Sequence, residues 1–415
     1  MKADSVARCI KSDSLIVEVA SKECFKLGHN TEQDGYIRGK LRELGRLLLQ
    51  LRETFDEENA CLEDFIHPEK FQRVVTAVRS MCGFNDSSHV YRTPSLALKI
   101  GHTLKKVAAI VKGHALERGD DSLYRRACGF HDLCELRWAE EISSHALRTL
   151  YERKRNNHQL LPLTGDIVCL ANHTKKVAAD QMSYLQLKGR SGSWVRLAEA
   201  TLARVMTFNR RRQGEASKLK MIDIQTKCST GVKETALQET LTKFEKALCK
   251  TLTRVEIVGK GGNTVPVILT FEMKTQIDLL VAKRSEAGVS DSNPYVFARA
   301  CYGSESHLRG ADCLRKLSIE CGAENPDRLT STRLRKHIAT VSQILHLNEN
   351  ELEVLAKFMG HDIRMHRQYY RLPDETMQVA KMTKFLLNLE RPDSLAEMTG
   401  KSWNDIEVSV DEGEF

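Results

Sequence analysis

The stretch of sequence that decides the fold runs from Thr332 to Tyr370 and reads TRLRKHIATVSQILHLNENELEVLAKFMGHDIRMHRQYY. Its first part is predicted to form a helix that carries Arg335 near its start. Near its end a Gly-His pair, Gly360 and His361, precedes two adjacent tyrosines by eight and nine residues. An arginine, a Gly-His pair and a tyrosine at these separations form an unusual combination.

A second helix is predicted between these two features. It would begin at Asn348 or Asn350 and place Leu352, Leu355 and Phe358 on one face, because residues three and four positions apart lie together on a helix. The glycine at its end is typical of the position that follows a helix C-terminus. The histidine would therefore come directly after a helix end.

This arrangement resembles the active-site half of the tyrosine recombinases, also called phage-type integrases. In that family a second catalytic arginine is followed by a Gly-His and, nine residues after the histidine, by the nucleophilic tyrosine. The resemblance implies these roles for Arg335, His361 and Tyr370, whereas Tyr369 lies one position too early. Thr332 stands where the family usually has the first histidine of His-x-x-Arg.

Two further motifs implied by this resemblance occur upstream, in the family's order. The motif of the first catalytic arginine, Arg-x-Gly/Ser-Glu, is matched by Arg212–Glu215. The catalytic lysine is matched by Lys260 in the turn sequence 259–263, which precedes a Val-Pro strand. Each motif is weak alone, but together and in order they extend the resemblance over roughly residues 160–390.

The resemblance implies cleavage and rejoining of DNA without a cofactor or a metal. Arg212 and Arg335 would donate forked hydrogen bonds to the phosphate, which lysine cannot match geometrically. Lys260 would protonate the leaving 5′-oxygen. Tyr370 would form a 3′-phosphotyrosine, which a second 5′-hydroxyl can religate. Thr332 can donate a hydrogen bond but cannot act as an acid or base near neutral pH.

Three functions fit these residues. The leading one is site-specific recombination or integration by a mobile-element recombinase, since the Met-Gly-His and Tyr-Tyr-Arg-Leu-Pro contexts are similar to those of eukaryotic Crypton-like recombinases. The second is a domesticated DNA-binding or chromatin protein with weak or lost catalysis, which Thr332 favours. The third is a type IB topoisomerase, against which the short chain and the integrase-like arginine and lysine motifs argue.

Composition narrows the class of protein. The 415 residues have a net charge of +8, a mild bias towards polyanions such as double-stranded DNA. No apolar run reaches the roughly 20 residues of a membrane span, and the N-terminus lacks a signal-peptide core. A soluble, intracellular protein is therefore expected, in the nucleus if eukaryotic and otherwise in the cytoplasm. The 12 cysteines include no Cys-x-x-Cys, so neither a metal site nor a disulfide framework is indicated.

Several basic clusters are candidates for contact with DNA phosphates. Any one of them is also typical of a solvated helix face. The predicted DNA-binding residues are Lys105, Lys106, Arg153, Lys154, Arg155, Arg210 and Arg211.

The pattern predicts a mainly α fold with a small β-sheet or hairpin, in five parts. Residues 1–30 show no clear period and are predicted to be poorly ordered. Residues 31–152 read as a helical, core-binding-like DNA-binding domain, and the basic segment 153–163 reads as a linker. Residues 164–391 would form the α+β catalytic domain. Residues 392–415 would form an acidic tail.

The segment after the nucleophile is predicted to form a helix over 374–390. Val379, Met382 and Leu386 fall on one stripe of it. In many tyrosine recombinases the helix after the nucleophile docks into a neighbouring subunit, so the resemblance implies self-association on DNA. The alternative is that this stripe packs on its own catalytic domain.

Overall fold

The computed structural model describes residues 4–29, 33–156, 160–188, 191–226, 228–230, 242–259, 262–344 and 349–360. Over these ranges the chain is mainly helical with two small antiparallel sheets, which confirms the predicted fold class. The chain divides into two compact units, residues 1–158 and residues 159–415. Each unit has its own hydrophobic core.

The first unit is a helical bundle with one short hairpin. A π-helical turn, Ala139–Ser143, joins its last two helices. The described elements are α1 (Ser5–Ser12), α2 (Ser14–Leu27), α3 (Asp34–Phe55), α4 (Phe71–Met81), β1 (Phe84–Asn85), β2 (Val90–Tyr91), α5 (Pro94–Arg118), α6 (Asp121–Trp138) and α7 (Ser144–Asn156).

The prediction of a poorly ordered N-terminus is wrong for residues 5–27, which form α1 and α2 against α3. The carboxylate of Asp13 accepts hydrogen bonds from the backbone N–H of Ile16 and of Leu62, both at 2.8 Å. It therefore caps α2 and also ties it to the rest of the unit. Two short helices separated by a single capping residue do not show a helical period long enough to detect.

The predicted linker also begins later than expected, because α7 continues to Asn156. Arg153 lies on that helix and donates to the backbone carbonyls of Tyr91 and Arg92, at 2.6 and 3.1 Å. The end of α7 is thus attached to the β-hairpin of its own unit.

The second unit consists of helices around a three-stranded sheet. Its described elements are α8 (Thr164–Lys188), α9 (Ser191–Asn209), α10 (Gln213–Ser217), α11 (Met221–Thr226), β3 (Cys228–Thr230), α12 (Lys243–Thr251), β4 (Thr253–Val258), β5 (Thr264–Leu269), α13 (Phe271–Ala282), α14 (Gly310–Glu320), α15 (Ser331–Ile344) and α16 (Glu349–Met359).

Helix α9 forms the centre of this unit and contacts α8, α13 and α14. Most of its residues are buried, as expected of a helix that is apolar around most of its circumference. The indole N–H of its Trp194 donates to the backbone carbonyl of Leu280 at 2.9 Å, so this large buried side chain is hydrogen-bonded as well as packed. Arg212 thus lies just beyond the end of a helix that is packed against several others.

The sheet has the order β3–β4–β5 with antiparallel pairing throughout. The predicted hairpin is confirmed: Thr253 pairs with Leu269 at one end and Val258 with Thr264 at the other. Buried and more exposed residues alternate along both strands, as the period of a strand requires.

No described helix is long and apolar enough to cross a membrane. Within the same ranges, no group of three or more His, Cys, Asp and Glu side chains is arranged to hold a metal ion.

Candidate active site

Arg212 lies directly before α10, in an extended conformation. Its Nη1 donates to Oε1 of Glu215 at 2.8 Å, and the backbone N–H of Glu215 donates to the carbonyl of Arg212 at 3.0 Å. The Arg-x-Gly-Glu spacing thus places a buried carboxylate where it orients the arginine. With 34% of its side chain exposed, Arg212 is held in place and still accessible.

Arg335 is buried, with 3% of its surface exposed. Its Nη1 donates to the carbonyl of Arg210 at 3.0 Å, and its Nη2 donates to the carbonyl of Met359 at 2.8 Å. It lies in the second turn of α15, as predicted. One guanidinium therefore connects the segment before Arg212 with the end of α16.

Helix α16 ends as the sequence predicts. Gly360 has a φ of +66°, the left-handed conformation that favours glycine after a helix. The residues buried most deeply on α16 are Ala356 and Met359, whereas the predicted Leu352, Leu355 and Phe358 are half-buried beside them. The apolar face is therefore centred slightly away from the predicted stripe.

Val265 on β5 connects this helix end with the hairpin turn. A β-carbon placed on Gly360 would lie 2.8 Å from Cγ1 of Val265 and 4.0 Å from Nη1 of Arg212. A β-carbon placed on Gly259 would lie 3.1 Å from the same Cγ1. Gly360 precedes His361 in the sequence and Gly259 precedes Lys260. The residues just before both predicted catalytic side chains thus pack on one methyl group, beside Arg212.

The turn that contains Lys260 is closed by its flanking residues. The backbone N–H of Gly259 donates to the carbonyl of Asn263 at 2.7 Å, and that of Gly262 donates to the carbonyl of Gly259 at 3.3 Å. Gly262 has a φ of +84°, which explains the glycine-rich sequence. Lys260 itself lies outside the described residues, as do His361 and Tyr370.

Thr332, the third predicted catalytic residue within the described ranges, is exposed on the first turn of α15. It precedes Arg335 by three residues and therefore lies on the same side of that helix. The hydroxyl of Thr330 accepts from the backbone N–H of Arg333 at 3.3 Å, so the helix start is capped by a neighbouring threonine. The side chain of Thr332 is left accessible.

The structure contradicts the prediction that Arg211 contacts DNA. Its side chain is fully buried, donates to the carbonyl of Pro266 and lies over the ring of Phe358, 4.5 Å from the ring centroid. Burial lowers the pKa of Arg211 to about 10; Glu215 opposes this effect, and the positive charges of Arg335 and Arg212 add to it. Three guanidinium groups therefore lie close enough to affect one another, and the middle arginine of the basic run is structural.

Arg210 adopts a left-handed conformation, with a φ of +52°. Its carbonyl accepts from Arg335, and its half-buried side chain points elsewhere and donates to the carbonyl of Thr207 at 2.6 Å. Burial lowers the pKa of Arg210. Consecutive arginines at 210, 211 and 212 thus have three different environments, because Arg210 leaves the helical conformation directly after the end of α9.

The other predicted DNA contacts lie in the first unit. Lys105 forms an ion pair with Glu135 at 2.7 Å. The charge of Lys40, followed by burial, lowers the pKa of Lys106. Lys154 and Arg155 are exposed near the end of α7. Contact between DNA and these residues, or Arg153, remains a prediction.

The residues that sequence reasoning missed act mainly through the backbone. The carbonyls of Arg210 and Met359 position Arg335, and no side-chain pattern marks them. Glu215 is different, because the Arg-x-Gly-Glu spacing contains it, and its role as the partner of Arg212 could have been inferred from that spacing.

No family model and no curated protein sequence matches this chain. Two solved structures of the XerH site-specific recombinase are similar to it at 14% sequence identity. The post-cleavage complex with a palindromic difH substrate has a TM-score of 0.42, covering 91% of this chain and 96% of that chain. The pre-cleavage complex with a difH substrate has a TM-score of 0.41, covering 92% and 97%. Likeness at this level assigns neither site residues nor activity.

Proposed function

We propose that this chain is an enzyme of the tyrosine recombinase class that cleaves and rejoins double-stranded DNA through a 3′-phosphotyrosine. The observation that supports it best is the convergence around Val265. Arg212 lies beside Gly360, Arg335 binds the carbonyl of Met359, and Gly259 packs on the same methyl group as Gly360. Segments that are far apart in the sequence, around Arg212, Gly259 and Gly360, thus lie close together.

The proposed chemistry assigns a role to each side chain. Arg212 and Arg335 stabilise the extra negative charge on the non-bridging phosphate oxygens. His361 hydrogen-bonds the scissile phosphate, and Tyr370 attacks it. Lys260, carried on the hairpin turn, protonates the 5′-oxygen as the bond to phosphorus breaks. No metal or nucleotide cofactor is needed, because the bond energy is kept in the phosphotyrosine.

The wider proposal concerns how DNA is held. The helical first unit, which includes α1 and α2 and whose last helix ends at Asn156, and the catalytic domain at 164–391 would both contact the duplex, with 392–415 as an acidic tail. Lys105, Lys106, Arg153, Lys154 and Arg155 are the proposed phosphate contacts in the first unit. Integration of a mobile element, in a nucleus, is the biological setting that the sequence context favours.

The experiment that tests this function is a covalent trap. A duplex selected for binding from a random library, nicked near the cleavage position, should leave a protein–DNA adduct that survives denaturation. Tyr370→Phe should abolish the adduct, and Tyr369→Phe should retain it. An adduct that persists in Tyr370→Phe would refute the nucleophile. DNA binding without any adduct in the unmodified protein would favour the alternative, a DNA-binding protein with a relict site.

Self-association through the 374–390 helix is part of the same proposal and is tested separately. Deleting residues from Met377 onwards should leave a folded protein that binds a two-site DNA without cooperative assembly in sedimentation experiments. Assembly equal to that of the intact chain would exclude docking in trans. Unfolding of the truncated protein would assign the helix to its own core.

A further inference from the structure

A cavity of about 660 Å³ opens in the second unit, apart from Arg212 and Arg335. It lies between α8, α9, the start of α13 and the segment just before β4. This volume is within the range of small-molecule sites, roughly 300–1,000 Å³. Its lining is mostly apolar, with three cationic side chains (Lys175, Arg204 and Arg210) and one carboxylate, that of Glu272.

The carboxylate is already engaged by two of the three cations. Arg204 is buried and donates to Glu272 at 2.7 Å, and Lys175 forms an ion pair with Glu272 at 3.1 Å. Arg204 also donates to the side chain of Gln276 at 3.0 Å. Hydrogen bonding from Arg204, then from Lys175, outweighs burial and holds the pKa of Glu272 below its usual value. The lining thus has more positive than negative charge and a fixed network on one side.

Arg210 is the third cationic side chain of the lining. Among the described residues its guanidinium has no carboxylate within ion-pair distance, and it donates a hydrogen bond to the carbonyl of Thr207. Thr207, 4% exposed, also lines the cavity, and its hydroxyl has no hydrogen-bond partner within the part of the chain that the structure describes. A half-buried cation without a counter-ion and a buried hydroxyl without a hydrogen-bond partner are costly unless a ligand satisfies them. They therefore indicate an anion with hydrogen-bonding oxygens.

Two aromatic rings complete the lining. Phe208 is 51% exposed and Phe271 is 75% exposed, although both belong to helices whose other faces are packed. Exposed phenyl rings at a cavity offer flat apolar surface on which a planar group can stack. The lining thus combines a cation without a counter-ion with apolar ring surface.

We propose that this cavity binds a nucleotide, with its phosphate on Arg210 and its base against Phe271 and Phe208. The inference goes beyond the proposed strand cleavage and does not require it, since Arg212, Thr332 and Arg335, the predicted catalytic residues within the described ranges, do not line the cavity. The nucleotide could be free in solution or part of a bound nucleic acid, because both present a phosphate next to a planar base. The two sources are separated by experiment.

The first experiment uses 2′-deoxyadenosine 5′-monophosphate as the probe, titrated into the full chain by calorimetry. Saturable binding is expected, tighter than that of inorganic phosphate or deoxyadenosine alone. Arg210→Gln should weaken it about tenfold or more, because a charge-assisted hydrogen bond is lost. Phe271→Ala should weaken it at least about fivefold, the lower limit for loss of base stacking.

Two control variants test whether the loss of binding is specific to residues of the cavity. Arg315→Gln changes an exposed arginine away from the cavity, and Phe244→Ala removes an exposed ring on α12. Both should leave the dissociation constant unchanged. If Arg210→Gln fails to fold, Phe271→Ala still tests the site, because its ring is largely exposed. Tyr370→Phe should bind the probe as the unmodified chain does, whatever becomes of the covalent adduct.

The second experiment uses single-stranded and duplex DNA that contain 2-aminopurine, whose fluorescence falls when it stacks. If the source is a nucleic acid, binding should quench the fluorescence, and Phe271→Ala should remove the quenching while Phe244→Ala retains it. If the monophosphate binds, the ligand of the cavity is a free nucleotide. If only the quenching is observed, the ligand is a nucleotide of DNA. The proposal would be overturned if the monophosphate did not bind and DNA binding did not quench the fluorescence. It would also be overturned if Arg210→Gln and Phe271→Ala gave the same results as their controls.

Discussion

The Nη2 atom of Arg335 lies 2.8 Å from the carbonyl oxygen of Met359, one residue before the glycine that ends α16. The other terminal nitrogen, Nη1, lies 3.0 Å from the carbonyl oxygen of Arg210. The same buried guanidinium that would bind a phosphate thus joins two separate segments of the second unit. Catalysis and local stability should therefore be affected together when this residue is changed.

Arg335→Ala tests that double role. It leaves two carbonyl oxygens unpaired, so the free energy of unfolding should fall by about 2–4 kcal/mol, measured by chemical denaturation. Arg335→Lys should lower the free energy of unfolding by part of this amount, because an ammonium group does not reproduce the forked hydrogen bonds of a guanidinium. Arg315→Ala, at an exposed site on α14, should stay within about 0.5 kcal/mol of the unmodified chain. Equal stability of Arg335→Ala and Arg315→Ala would show that the two backbone contacts are not stabilising.

Gly360→Ala tests the helix end beside the site. It should destabilise by about 1–2 kcal/mol, because alanine is strained in the left-handed region and its β-carbon would contact Val265. In a Val265→Ala background the steric part should disappear and the backbone part remain. Gly262→Ala is the control, since its φ is +84° with nothing within 4 Å of an added β-carbon. An identical cost in both Val265 backgrounds would exclude the steric contact.

Lys260→Ala tests the proton donor. Cleavage of ordinary DNA should fall by roughly 10²–10⁴, the usual contribution of general acid catalysis. Cleavage of DNA with a bridging 5′-sulfur should recover, because a thiolate leaves without a proton. Absence of this rescue would move the role to another group, with His361 as the next candidate.

Thr332→His tests the departure from the family pattern. Thr332 is exposed on the same side of α15 as Arg335, so a histidine could reach solvent and phosphate from there. If proton handling limits the rate, adduct formation should become about tenfold faster or more. A slower reaction would mean instead that the site has been rebuilt around threonine.

His337 should make stability depend on pH. Burial, followed by the positive charge of Arg210, lowers its pKa in the folded state below its usual value. As the pH falls through about 6.5, the unfolded chain takes up this proton first, so the free energy of unfolding falls with it. Above that value the histidine is neutral in both states and contributes no pH dependence.

Denaturation curves between about pH 7 and pH 5 check this expectation. His337→Gln should show a shallower loss of stability on acidification than the unmodified chain. His102→Gln, at an exposed histidine in the first unit, should keep the original slope. A slope unchanged by His337→Gln would contradict the assignment.

Much of the fold was predictable because its signals are local. Helical periodicity predicted the helices of residues 31–152 as well as α15 and α16, and the glycine-rich turn before the Val-Pro strand predicted the hairpin. Gly360 was recognised as a helix end from its residue type alone. The N-terminal helices were missed because α1 is short and the Asp13 contact that attaches α2 crosses from residue 13 to residue 62.

By itself, the sequence determined which residue types were available for the proposed site and in what order: Arg212, Lys260, Arg335, His361 and Tyr370 were all predicted from the resemblance of their motifs to those of the tyrosine recombinases. It did not distinguish the members of the run 210–212, where one side chain faces a cavity, one is buried and one is held by Glu215. Only the tertiary structure decided this, because the backbone turns into the left-handed conformation at Arg210 and packing from β5 and α16 selects which guanidinium is enclosed. A charge pattern along the chain does not show which arginine will be enclosed, since Pro266 and Phe358, which contact Arg211, are distant from it in the sequence.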